Sequence, residues 1–161
     1  MGRVRQFIGH LTARTDAADE AFAHAHLPRG AWPLFDAMPV ADRRHAVDVA
    51  HHLVRGGRND HELLAAALLH DAAKGHRMRL WHRVGGVLLD ALAPALLRRL
   101  ASPLPASGGY PWYLYLHHAE LSARAAVNAG CSPRTAELIR GRAGEADGDA
   151  QAALLAADEA N

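Results

Sequence analysis

Three titratable residues follow directly on an apolar run in this chain of 161 residues. The run spans positions 64–69 and is expected to bury itself in a helical core, and His70, Asp71 and Lys74 come next. Burying a charge costs several kcal/mol unless the charge is paired or bound to a metal ion. Lys74 is the only lysine in the chain, which favours a compact ammonium over a guanidinium at this position. The motif therefore indicates a buried charge cluster that requires a partner.

Two other predicted helices each offer a metal-type ligand from an apolar face. His45 shares a helical stripe with Val49 and Leu53, and His52 lies on that stripe as a second candidate. Asp158 follows two leucines at spacings of three and four residues, on the face that its helix should bury. Taken singly, such a histidine is more often a satisfied core residue, and such a carboxylate is more often a frayed helix-end acid. Their occurrence on three separate helices is what indicates a shared site.

Imidazole together with carboxylate narrows the choice of metal. This donor set suits Mn²⁺, Fe, Co, Ni or Zn better than Ca²⁺, which prefers oxygen ligands throughout. Adjacent helical residues such as His70 and Asp71 point about 100° apart, so one ion contacts both only near a helix end. Gly75 predicts such an end close by.

Composition and helix-end signals predict a single all-α domain. Ala and Leu dominate, and no segment alternates apolar and polar residues as a strand would. Pro39 followed by Asp42 predicts a helix entry with Asp42 as its N-cap, and Asn59 followed by Glu62 predicts a capping box. Helices are expected near 3–13, 16–25, 42–55, 60–74, 79–100, 112–129, 133–141 and 149–158.

Charge and cysteine usage exclude several classes of partner. A net charge of +1 argues against a large electrostatic footprint for duplex nucleic acid. No apolar stretch is long enough to span a membrane, and the N-terminus lacks the apolar core of a signal peptide. A single cysteine, Cys131, fits a reducing cytoplasm and precedes a predicted helix-helix turn, where thiol catalysis is not expected.

The order of these motifs resembles the HD-domain superfamily of metal-dependent phosphohydrolases. The segment 44–50 is similar to the family's first-histidine helix, the segment 63–74 to its "LAALLHDxxK" helix, and the segment 155–158 to its closing helix. The resemblance covers roughly residues 40–161. It implies an HD-domain helical bundle over 40–161, with residues 1–39 as an N-terminal helical extension packed on that core.

The resemblance implies a role for each of six residues. His45, His70, Asp71 and Asp158 would ligate one divalent ion: Mn, Fe, Co, Ni, Zn or Mg. Lys74 would contact either a substrate phosphate or a neighbouring carboxylate. In the segment 116–122, His118 matches the "HxExGA" position that adds a second metal or a phosphate contact, and Ser122 replaces the usual glycine. Asp71, Lys74 and His118 are therefore the expected catalytic residues.

One departure from the family pattern argues against a second metal ion. Two-metal members often place histidine just after a helix similar to 135–139, whereas this chain has Arg140, Gly141 and Arg142 there. Arginine keeps its proton and does not ligate a metal. A single-metal site is the expected arrangement.

Three hypotheses for function remain open from the sequence. The first is a metal-dependent phosphohydrolase that acts on a small phosphorylated molecule or nucleotide through metal-activated water. The second is a non-catalytic protein of the same architecture that binds metal and ligand. One reason to consider it is that Arg140 and Arg142 stand where two-metal members often have histidine. The third is a buried His-Asp pair without metal. A homo-oligomer is compatible with all three.

Overall fold

The structure, a computed structural model, describes residues 16–161, so the predicted helix at 3–13 lies outside the described residues. Over that range the chain is all-helical and contains no strand, which confirms the all-α prediction. Two 3₁₀ turns lie at Arg29–Ala31 and Glu145–Asp147. The helices described are α1 (Ala17–His26), α2 (Trp32–Asp36), α3 (Val40–Arg55), α4 (His61–Leu69), α5 (Leu80–Leu92), α6 (Pro94–Leu100), α7 (Tyr110–Asn128), α8 (Pro133–Arg140) and α9 (Gly148–Ala160).

Helix α4 begins and ends elsewhere than the sequence predicted. Its N-cap is Asp60, whose side chain accepts hydrogen bonds from the backbone N–H groups of Glu62 and Leu63, so the predicted Asn59 capping box is wrong by one residue. The helix ends at Leu69 rather than near position 74, and turns follow over 70–77. The His-Asp pair therefore lies just past a helix end, where neighbouring side chains are not held 100° apart.

The predicted helix at 79–100 is two helices. Ala93 has φ −150° and ψ 60°, and Pro94 stands at the first position of α6. Proline cannot donate the backbone hydrogen bond of a helix interior but is well suited to a first turn. This rule outweighed the continuous apolar pattern that suggested one long helix.

Helix α4 is the centre of the core. All seven residues from Leu63 to Leu69 are buried, and α4 packs against α1, α2, α3, α7, α8 and α9. Ala23 of α1 and Phe35 of α2 belong to the same buried cluster, so residues 17–36 share one core with the rest of the described chain. A helix that is apolar on all sides is stable only when surrounded in this way.

Helices α5 and α6 pack on α7 through small residues. A Cβ atom at Gly86 would lie 2.5 Å from the ring of Tyr115, and one at Gly85 would lie 2.9 Å from that of Trp112. Both aromatic rings therefore pack against α5 at positions where only glycine fits. Among the described helices, none is long and apolar enough to cross a membrane.

A buried ion pair connects α3 with α5. Arg83 Nη2 donates to both carboxylate oxygens of Asp42, at 2.7 and 2.6 Å. Asp42 was predicted to be an N-cap; instead it lies inside the first turn of α3, and Pro39 is the capping residue. The prediction failed because the partner of Asp42 is 41 residues away and leaves no local sequence signal.

Candidate metal centre

Three helices bring His45, His70 and Asp158 together. One ligand atom of each lies within 4.8 Å of the others, and we call these residues the donor cluster. His45 Nε2 is 2.8 Å from Asp158 Oδ1, and His70 Nε2 is 3.5 Å from the same oxygen. The arrangement follows from the fold, because α3, α4 and α9 pack on one another. Ligands of one ion at 2.0–2.2 Å lie about 3–3.5 Å apart, so these separations suit a shared cation.

The backbone fixes the orientation of His70. Its Nδ1–H donates to the carbonyl of Ala67 at 2.8 Å, which leaves Nε2 as the atom that faces the carboxylates of Asp71 (3.6 Å) and Asp158 (3.5 Å). This buried Nε2 makes no hydrogen bond. Burial opposes charge on the ring, but the two carboxylates outweigh it and raise the pKa of His70 to about 9. A positive charge between the imidazole and the carboxylates is therefore stabilised.

Asp71 is buried with one oxygen paired and one without a partner. Lys74 Nζ donates to Oδ2 at 2.6 Å, whereas Oδ1 makes no hydrogen bond. Burial alone raises the pKa of this carboxyl, but the charges of His70 and Lys74 and the hydrogen bond from Lys74 hold it well below its ordinary value. Asp71 therefore stays ionised, and Oδ1 keeps its full capacity to accept. It adjoins the donor cluster without joining the atoms that lie within 4.8 Å of one another.

Asp158 is the most exposed member of the donor cluster, with 43% of its side chain accessible. Desolvation raises the pKa of its carboxyl, but the hydrogen bond from His45 and the charges of His70 and His45 hold that pKa well below the usual range. The sequence predicted that this carboxylate would face the buried side of its helix. The structure places it at the rim, where a molecule from solvent reaches the cluster.

Lys74 takes the second of the two roles that the sequence left open. Its ammonium contacts the neighbouring carboxylate of Asp71 and is spaced from it as i and i+3. A salt bridge with this geometry neutralises one of the two negative charges in the site. It also holds the ammonium beside the unpaired Oδ1 of Asp71.

His118 faces the same oxygen of Asp71 from α7. Its Nδ1–H donates to the carbonyl of Tyr115 at 2.9 Å, and its Nε2 lies 3.8 Å from Asp71 Oδ1. Burial and the nearby ammonium of Lys74 lower the pKa of His118, so the ring stays neutral and Nε2 carries a lone pair. Asp71 Oδ1 and His118 Nε2 are thus two acceptors facing each other.

Ser122 has a structural role that the sequence did not reveal. It is fully buried, and its Oγ accepts a hydrogen bond at 3.0 Å from the backbone N–H of Ala73. This bond attaches the turn between Asp71 and Lys74 to α7, four residues after His118. The only indication in the sequence is a serine at the position where the HD-domain pattern usually has glycine.

The remaining candidates lie outside the cluster. His52 is exposed and its Nδ1 is 3.1 Å from Asn161 Nδ2. Arg140 donates to the carboxylates of Glu120 and Glu137 at 2.8 and 2.7 Å. Cys131 is buried, and burial raises the pKa of its thiol, which disfavours the reactive thiolate.

Comparisons with protein-family models, with curated proteins and with solved structures find no match to this chain. The resemblance to HD-domain phosphohydrolases therefore rests on the order and spacing of residues in the sequence. The donor cluster is an independent geometric feature of the described chain.

Proposed function

We propose that this protein is a single-metal hydrolase of phosphate esters of the HD-domain type, acting on a small phosphorylated molecule such as a nucleotide. One observation carries the proposal: an imidazole from α3, an imidazole at the end of α4 and a carboxylate from α9 lie with their ligand atoms within 4.8 Å of one another. Beside this cluster lie an ionised buried carboxylate, an ammonium and a neutral imidazole. This combination of groups suits metal-assisted hydrolysis better than nucleophilic catalysis.

The orientation of His70 supports a metal ion rather than a plain hydrogen-bonded pair. Its Nδ1 proton is committed to Ala67, and its Nε2 is too far from either carboxylate for a good hydrogen bond. A histidine that donates one ring N–H to a backbone carbonyl and presents the other nitrogen to a carboxylate-lined space is the usual arrangement of a metal ligand. Two imidazoles and a carboxylate fit Mn, Fe, Co, Ni or Zn.

The charge of the site supports an anionic substrate. With His70 neutral as a metal ligand, Asp71, Asp158 and Lys74 together carry a net charge of −1, which a divalent ion would reverse to +1. The loaded site would therefore attract a phosphate ester. A bound divalent ion lowers the pKa of coordinated water to near neutrality and polarises a phosphoryl oxygen.

The protein's own residues have separable roles in this proposal. His45, His70 and Asp158 hold the ion, and Asp71 lies beside it with an unpaired oxygen. His118, neutral and 3.8 Å from that oxygen, orients a water molecule or accepts its proton. Lys74 stabilises negative charge that develops on the substrate.

The experiment is a panel of nucleotides and phosphomonoesters tested with Mn²⁺, Co²⁺, Ni²⁺, Zn²⁺ or Mg²⁺. The wild type is expected to hydrolyse at least one substrate, and the His118→Ala variant to lose activity while keeping the metal. The adjacent His117→Ala is the matched control, because His117 is exposed and its ring packs at a tilt against that of Tyr113. If no substrate is turned over faster than by the His70→Ala, Asp71→Ala double variant, the enzymatic proposal fails.

A non-catalytic metal- and ligand-binding protein is the second candidate. The observation that favours it is that the cations that could contact a phosphate already have carboxylate partners: Lys74 pairs with Asp71, and Arg140 pairs with Glu120 and Glu137. This candidate predicts that nucleotides raise the melting temperature of the metal-loaded protein and are recovered intact.

A further inference from the structure

Helices α5 and α6 expose a row of large apolar side chains. On α5 they recur at spacings of three and four residues, which places them along one side of the helix, and exposed leucines follow on α6 after the break at Ala93. Leu92, at the break, is 81% exposed. We call this surface the apolar stripe; its members are Trp81, Val84, Val87, Leu88, Leu92, Leu96 and Leu100.

The remaining faces of α5 are already in use. Gly85 and Gly86 pack against the aromatic rings of α7, and Arg83 pairs with Asp42 of α3. Apart from Leu97, none of the residues of α5 and α6 with described side chains is among the buried hydrophobic residues. The apolar stripe is thus the face left over once α5 and α6 have packed on the rest of the described chain.

The stripe lies at the upper end of the size that exposed apolar patches reach in monomeric proteins. Its seven residues expose on average about half of their surface, which at roughly 150 Å² per fully exposed residue gives on the order of 600 Å². Monomeric proteins rarely exceed this value in one apolar patch. A specific dimer buries about 800 Å² per partner, of which about 65% is apolar in homodimers. The stripe supplies that apolar share.

We propose that the apolar stripe is a homodimer interface, occupied by the same stripe of a second copy of this chain. A two-fold axis makes a surface complementary to itself, and a row of branched side chains at helical spacing interlocks with an identical row. The inference does not depend on the proposed phosphohydrolase activity.

Charge favours a second copy over a lipid surface. Helices that lie on membranes carry a Lys- and Arg-rich polar face, but the one Arg of α5, Arg83, is committed to a buried ion pair with Asp42. Helix α6 adds only Arg98 and Arg99. The net charge of the chain is +1, which provides little attraction to anionic lipid.

The test is sedimentation equilibrium of the full chain from low to high micromolar concentration. The wild type is expected to approach twice 17.3 kDa. Leu88→Glu places a charge in the stripe and is expected to weaken association at least about tenfold. Leu155→Glu is the matched control, since Leu155 of α9 is 53% exposed and Leu88 is 54% exposed. Leu92→Glu repeats the test at a second position, and circular dichroism checks that each variant is folded.

Three results would overturn the proposal. The first is a wild type that remains monomeric at every concentration, whether or not it sediments with vesicles of anionic phospholipid. The second is a dimer that survives both stripe variants in folded form. The third is a dimer that only Leu155→Glu dissociates, which would place the interface on another face.

Discussion

The donor cluster and the apolar stripe depart from ordinary protein surfaces in opposite directions. In and beside the first, ionisable groups lie against α4, whose residues from Leu63 to Leu69 are all buried, and the adjoining carboxylate of Asp71 is 2% exposed. In the second, leucines, valines and a tryptophan are left in solvent on α5 and α6. Both regions pack on the same helix, α7.

Each of the two regions lacks a partner, and the two missing partners differ in kind. Two carboxylates grouped around a buried imidazole need a positive charge, because burial without compensation is costly. An exposed apolar row needs another apolar surface, because water is excluded from both on contact. The missing partner is therefore small and cationic in one region and large and apolar in the other.

The largest expected effect is at the ligands themselves. His70→Ala and Asp158→Ala should each weaken binding of a divalent metal at least about a hundredfold and reduce phosphoester turnover accordingly. The measurements are calorimetric titration of metal and a steady-state assay. His76→Ala and Glu159→Gln, exposed neighbours in sequence, are the controls. Equal losses in controls and ligand variants would show that the effect is not local.

A leucine pair tests the contrast between core and stripe. Leu68→Ala removes a fully buried side chain of α4 and should lower the free energy of unfolding by about 2–5 kcal/mol. Leu88→Ala, in the stripe, should change it by about 0.5 kcal/mol or less at concentrations where the chain is monomeric. Denaturant unfolding measures both. A large loss at Leu88 in the monomer would mean that the stripe belongs to the core.

The pH dependence of the metal-free protein reports the charge trapped at His70. Because the folded pKa is raised to about 9, the stabilisation is fully present below the unfolded pKa of about 6.5. This stabilisation is lost as pH rises through about 9. Its size is a few kcal/mol at most, because a pKa difference of one between folded and unfolded states corresponds to about 1.4 kcal/mol. Chelator-treated wild type should therefore lose more stability from pH 6 to 9.5 than His70→Gln.

Metal should reverse this trend, because a ligand imidazole must be deprotonated and metal affinity rises with pH. A wild-type profile identical to that of His70→Gln, with and without metal, would contradict the assigned environment of His70.

The smallest expected effect is at Ser122. Ser122→Ala leaves the backbone N–H of Ala73 without its acceptor and should cost about 1–2 kcal/mol of stability, with weaker metal binding as the turn at Asp71 loosens. Ser107→Ala is the control: its Oγ accepts from the N–H of Gly109 in a loop, and its loss should cost about 0.5 kcal/mol or less. Thermal unfolding and metal titration compare the two. Stability loss with unchanged metal affinity would leave Ser122 without a role in positioning the site.

The sequence predicted those features that depend on local pattern. Helical periodicity predicted an all-α chain and placed His45 on the packed side of its helix. Asp158 was predicted on a buried face, but it lies at the rim of the donor cluster. Periodicity did not predict the end of α4 at Leu69, because propensity continues through Ala72 and Ala73. Element boundaries depend on tertiary contacts that a local pattern does not contain.

Long-range partners were the other omission. The bond from Ala73 to Ser122 spans 49 residues, and Asp42 pairs with Arg83 across 41 residues. The surplus apolar face of α5 was also hidden, since a periodic pattern predicts an apolar side of a helix but not whether anything covers it. Only the packing of α7 against Gly85 and Gly86 shows which side remains exposed.

The central claim is that His45, His70 and Asp158 hold one divalent ion, and metal content tests it most directly. Elemental analysis after equilibrium dialysis against Mn²⁺ or Zn²⁺ should find one equivalent of metal in the wild type and in His52→Ala. It should find almost none in folded His45→Ala, although both histidines lie on α3. A wild type without bound metal, or a His45→Ala variant that retains the full equivalent, would contradict the account.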